Sequence, residues 1–120
     1  YVTNGTYQSV LADYENILVA PEFEDYMNRI KSMDSKFSAA SNAVKEAGDQ
    51  ELLDFLARRL YEMAATCVMS HLLLQDTNKE PEMFKKSLEV YVSYAESEIE
   101  KHFNFIRKFQ AEKLANYRKA

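Results

Sequence analysis

The sequence predicts an all-α fold, an antiparallel up-and-down four-helix bundle with a long C-terminal helix. Three observations lead there. The chain has 120 residues but only two glycines and two prolines, too few to punctuate a fold of short strands. Apolar residues recur at steps of three and four along most of it, whereas the period-two alternation of strands is hard to find. The stretch from Pro81 onward contains no further glycine or proline, so nothing in it breaks a helix. A hydrophobic content of 47% with 28% charged residues suits one soluble globular domain over residues 1–120, with a modest core.

The long C-terminal helix, predicted over 81–117, organises the rest. Its stripe is Phe84, Leu88, Tyr91/Val92, Ala95, Ile99, His102/Phe103, Ile106 and Phe109, which at about 100° per residue share one broad face. At roughly 1.5 Å per residue it spans on the order of 50 Å. Asn78 reads as its N-cap and Pro81 suits its first turn. Glu80 and Glu82 favour the positive end of the helix dipole, and Lys108, Lys113, Arg118 and Lys119 complement the negative end.

Three shorter helices precede it. The first, predicted over 6–19, carries Tyr7, Val10, Leu11, Tyr14, Ile17 and Leu18 on one face. Before it, Asn4-Gly5-Thr6 matches a glycosylation sequon but reads as a junction and N-cap, because nothing else indicates secretion. The second, over 22–47, has the stripe Phe23, Tyr26/Met27, Ile30, Met33, Phe37, Ala40/Ser41 and Val44, and Gly48 is placed to end it. Asp49 caps the third, over 50–75, with Leu52/Leu53, Leu56, Leu60, Met63/Ala64, Cys67/Val68, His71 and Leu74. Asp76-Thr77-Asn78-Lys79 reads as a short turn. Short connections make successive helices antiparallel neighbours.

Charge narrows the range of partners. A net charge of −4 argues against nucleic acid, which needs a basic face. Asp13, Glu15, Glu22, Glu24 and Asp25 precede the first basic residue, Arg29, while Lys101, Arg107, Lys108, Lys113, Arg118 and Lys119 crowd the other end against Glu112 alone. This is read as dipole complementation and attraction between neighbouring helices, with a basic tail for an acidic partner as the alternative. The single cysteine, Cys67, lies on an apolar stripe and reads as a buried small hydrophobe. It permits no internal disulfide and suits a reducing, cytoplasmic compartment. No apolar run reaches the roughly 18–20 residues of a membrane span, and no signal peptide is evident. The chain begins at Tyr1 without a methionine, which suggests a piece of a longer protein.

No constellation carries chemistry by itself. A di-metal bundle site needs Glu-x-x-His on two helices, but Val68 stands three before His71 and Ile99 three before His102. A phosphotransfer domain needs an exposed histidine, and both histidines fall on core stripes. Ser, His and Asp occur without a nucleophile elbow, and no glycine-rich phosphate loop exists. No catalytic, cofactor-binding or metal-binding residue is predicted. Off the core stripe, Met83, Val90, Tyr94 and Phe105 form a second, weaker stripe on the long helix, and Phe55, Met69 and Leu73 are similarly displaced on the third. They read either as scattered surface apolars or as a docking surface.

Two segments carry a resemblance. Ala57-Arg58-Arg59-Leu60-Tyr61-Glu62-Met63-Ala64 and Tyr94-Ala95-Glu96-Ser97-Glu98-Ile99-Glu100-Lys101-His102-Phe103 resemble the C-terminal helical domain of bacterial acyl-CoA dehydrogenases, and the resemblance covers most of the chain. It implies a parent flavoenzyme that uses FAD to oxidise acyl-CoA thioesters at the α,β bond, with its catalytic residues in preceding domains. This chain would then be a non-catalytic accessory domain, packing on the catalytic body or on another subunit, or touching a membrane or electron-acceptor partner. The alternative from a different class is a free-standing helical interaction or signalling module, such as a phosphotransfer-like bundle.

Overall fold

The computed structural model describes the backbone of residues 3–119, with side chains described through residue 110 and at Glu112. The elements are α1 (Thr6–Glu15), a single 3₁₀ turn (Pro21–Phe23), α2 (Glu24–Ala47), α3 (Gln50–Lys79) and α4 (Pro81–Lys119). No strand occurs among the described residues. Cross-helix contacts give the directions. Phe55 meets Phe109 and Arg59 meets His102, so α3 and α4 are antiparallel. Tyr7 meets Tyr61 and Tyr14 meets His71, so α1 runs parallel to α3. This is the up-and-down order expected of short connections.

The three long helices share one core, made of the stripes read from their sequence. Ile30, Phe37, Leu56, Leu60, Met63, Leu88, Val92, Ala95 and Ile106 are fully buried, and α3 and α4 share the largest interface. α1 packs on α2 and α3 and inserts Leu11. The molecule measures 58 × 23 × 19 Å. Its long axis therefore matches one helix the length of α4 at about 1.5 Å per residue.

Local chemistry sets the helix ends. Gly48 adopts φ 63°, ψ 21° at the end of α2, the left-handed conformation that glycine takes without a Cβ penalty. Asp49 then caps α3, its side chain accepting from the Leu52 amide at 3.2 Å.

The segment Asp76–Lys79 is not a turn: α3 runs to Lys79, and Glu80 alone joins it to α4. Asn78 is not the cap of α4 either. The carbonyl of Glu80 accepts from the Met83 and Phe84 amides, while Asn78 Oδ1 accepts from the Ala20 amide at 2.7 Å. Thr77, fully buried, returns its hydroxyl to the Leu73 carbonyl. These polar residues are satisfied inside a helix, so they do not end it.

α1 is shorter than its apolar pattern, ending at Glu15 instead of 19. Ile17 and Leu18 lie beyond it and are 41% and 90% exposed. The residue before a proline is held out of helical geometry. Ala20, at φ −60°, ψ 150°, obeys that constraint and also has to reach Asn78.

The Ala20–Asn78 hydrogen bond ties the α1–α2 connection to the end of α3. Asn78→Ala should therefore destabilise the fold by about 1–2 kcal/mol, the usual cost of stranding a partly buried donor, as a lower urea midpoint at unchanged slope. No change would mean that water replaces the carboxamide.

Candidate functional site

Two regions stand out from the bundle's ordinary packing. One is the outer face of α4. Met83, Val90 and Tyr94 are 67%, 72% and 56% exposed, and their spacing of seven and four places them on one side of the helix. Phe105 continues the line but differs from them. It is only partly exposed, because the Arg59 guanidinium of α3 lies 3.7 Å from its ring centre, a cation–π contact. It also stacks with Phe109, which stacks in turn on Phe55 at 4.7 Å. On α3, Phe55 and Met69 are exposed, whereas Leu73 packs against the core.

Charged groups lock the opposite seam of α4. Arg29 of α2 grips Glu96 through Nε and Nη2, at 3.1 and 2.6 Å, a bidentate pair that fixes register. It raises the Arg29 pKa and holds Glu96 below the usual carboxylate range. Lys36 pairs with Glu100 one turn further on. The attraction between these helices thus runs from Arg29 and Lys36 of α2 to Glu96 and Glu100 of α4. Of the basic tail, Lys113, Arg118 and Lys119 lie outside the described side chains.

Both histidines are buried, as their stripes predict, and neither presents a ring to a phosphoryl donor. His102 is 4% exposed. Arg59 Nη1 lies 3.2 Å from its Nδ1. A guanidinium can only donate, so Nδ1 accepts and Nε2–H points to Glu62 at 3.0 Å. Burial lowers the His102 pKa, and the neighbouring Lys101 and Arg59 charges act with it against Glu62 and Glu98.

His71, 1% exposed, belongs to the second region. Its Nε2 lies 2.5 Å from Asp34 Oδ2, and the Asp34 carboxyl also meets that of Glu15. Three helices thus bring together an imidazole and two carboxyls. The residues Glu15, Asp34 and His71 can offer ligand atoms that lie within 4.8 Å of one another. A cavity of about 340 Å³ opens beside them, lined by Gln8, Glu15 and Asp34 among others. Burial, then the hydrogen bond and charge of Asp34, raise the Glu15 pKa to about 7, against the weaker pull of His71 and Lys31. Burial and the Asp34 carboxylate also push the Cys67 thiol far up, leaving it protonated and unreactive.

The stripe for α2 passes over Asp34, although its offset from Ile30 and Phe37 puts it on the core-facing side. A carboxylate at a core position was the available signal. Glu15, four residues after the buried Leu11, was the second.

Fold and site together define an all-helical domain with a candidate contact face on α4 and a polar cluster under α1. Comparison with known proteins makes this specific. The family model "Acyl-CoA dehydrogenase C terminal" matches residues 3–114, and the chain belongs to that family. No curated protein matches it. Among solved structures, it is similar to an acyl-CoA dehydrogenase family protein from Porphyromonas gingivalis, with a TM-score of 0.83 and 38% identity over 88% of this chain and 91% of that one.

The raised pKa of Glu15 makes a signed prediction. With a folded-state value near 7 above an ordinary 4.5, its favourable contribution is complete below pH 4.5 and is lost as pH rises through 7. In the presence of a chelator, Glu15→Gln should match the parent chain in stability at pH 4 and exceed it at pH 8. Parallel stability–pH curves would contradict the assignment.

Proposed function

We propose that this chain is a non-catalytic accessory C-terminal domain of an acyl-CoA dehydrogenase-like flavoenzyme, packing against the catalytic body or a neighbouring subunit. The observation that carries the reading is the exposed apolar line Met83, Val90 and Tyr94 on a helix that the family match covers in full up to residue 114. Side chains of this kind, aligned on a rigid helix, suit a protein contact. No helix of the described residues is long and apolar enough to cross a membrane, and a protein partner suits this face better than a bilayer.

In this reading the parent enzyme acts on fatty acyl-CoA thioesters in the bacterial cytoplasm, with FAD bound outside this domain. The cavities described here do not fit a flavin dinucleotide. The groove between α2 and α4 is crossed by the Arg29–Glu96 and Lys36–Glu100 pairs. The cavity under α1 is lined by Glu15 and Asp34, which repel a pyrophosphate. No step of flavin chemistry is therefore assigned to these residues.

Two measurements test this. The double substitution Val90→Glu, Tyr94→Glu should weaken association with the catalytic body at least tenfold while leaving the helical circular dichroism unchanged, since both side chains are exposed. Unaltered association would reject the face. Separately, the full-length parent and a version lacking these 120 residues should both show a flavin absorption spectrum, with assembly or turnover altered only in the truncation. A colourless parent would reject the flavoenzyme reading.

A further inference from the structure

The cluster under α1 is unlike the other polar contacts of the bundle. At His102 the carboxylates of Glu62 and Glu98 already have a cation beside them, because Arg59 contacts the same ring and Lys101 pairs with Glu98. Among the described residues, no guanidinium or ammonium makes a hydrogen bond to Asp34. The residue is 3% exposed, its Oδ2 faces His71, and its Oδ1 has no donor in good hydrogen-bond geometry, with only the Cys67 thiol and the Glu15 carboxyl against the same carboxylate. Gln8 Oε1, on the same cavity, is also buried without a donor. Unpaired buried acceptors are costly, and two adjacent carboxyls repel unless something positive stands between them.

We propose that Glu15, Asp34 and His71 form a binding site for one divalent first-row transition-metal ion, which fastens α1 to α2 and α3. The donor set is two carboxylate oxygens and one imidazole nitrogen. That combination suits zinc, cobalt or manganese rather than magnesium or calcium, which take oxygen ligands alone. Bonds of roughly 2.0–2.2 Å to such an ion set the ligand atoms closer together than their present 4.8 Å limit. Glu15 is the longest and most exposed of the three side chains, and a rotamer change there draws the set together. The ion takes the position on His71 Nε2 now used by its hydrogen bond to Asp34, and the ring binds as the neutral tautomer that carries its proton on Nδ1. The cavity beside Glu15 gives the ion its entry path and room for water in the remaining coordination positions.

The ligands come from three separate helices, and α1, with the fewest residues in the core, gains most. Metal binding to the folded chain then raises its melting temperature by mass action.

The test uses the whole chain, stripped with EDTA and held at pH 8, titrated with Co²⁺ as a visible probe and then with Zn²⁺ as competitor. One equivalent of Co²⁺ should produce a visible band that one equivalent of Zn²⁺ removes, and either ion should raise the melting temperature. Asp34→Asn should abolish the band, and Glu15→Gln should weaken Co²⁺ binding at least tenfold. His102→Gln should leave it unchanged. If Asp34→Asn fails to fold, Glu15→Gln at the cavity edge decides. No saturable band, or a band that survives Glu15→Gln at full affinity or disappears with His102→Gln, would overturn the proposal.

Discussion

The bundle depends on burying one uninterrupted stripe along α4. No glycine or proline interrupts that helix after Pro81, and Leu88, Val92, Ala95, Ile99, His102 and Ile106 fall on its inner side. At about 25 cal/mol per Å² of apolar surface removed from water, this stripe can form only if other helices cover it. α3 covers most of it, because a connection of the single residue Glu80 forces it to fold back antiparallel. α2 covers the rest, with its register fixed where Arg29 and Lys36 meet Glu96 and Glu100. α1 meets only the far side of this three-helix core. It is a lid on an assembly that is already closed.

That order explains where polar groups are tolerated. Ser70 and Thr77 are buried without cost because their hydroxyls return to carbonyls one turn back on α3. His102 sits between Arg59, which donates, and Glu62, which accepts, so both ring nitrogens are satisfied in one tautomer. Under α1 the arrangement is different. Asp34 and His71 share one hydrogen bond, and Glu15 brings a second carboxyl with no buried cation beside it among the described residues. The joint between the lid and the core thus holds a carboxyl that burial and Asp34 push up toward neutrality.

Much of this was legible in the sequence, and the parts that were not share a physical reason. The step of three and four identifies the core side of each long helix, and Gly48, Asp49 and Pro81 mark their ends, because those signals are local. The reading failed where a polar residue was used over long range. Asn78 looks like a cap because asparagine usually serves its own neighbourhood, but here it holds the backbone of Ala20, 58 positions away. Ile17 and Leu18 continue the apolar rhythm of α1 and are nonetheless exposed, since Pro21 and the Asn78 tether draw the chain away first. Asp34 sits on a buried stripe, and only the fold shows that His71 and Glu15 are its partners. The same limit applies to Phe105, which lies in line with Tyr94 by spacing but is covered by Arg59 from another helix.

The position of the exposed face follows from the same geometry. α4 gives its inner side to α3 and α2, and α1 packs on those two helices away from it. No element of the described chain can reach Met83, Val90 and Tyr94. α4 is a single helix of 39 residues, about as long as the molecule. A rigid rod with an apolar edge loses little conformational entropy when it is covered by another surface. That is the property a domain needs if it packs as a unit on a larger protein. It also separates the two features of this bundle, since a contact on the outer side of α4 leaves the cluster beneath α1 open to solvent and to ions.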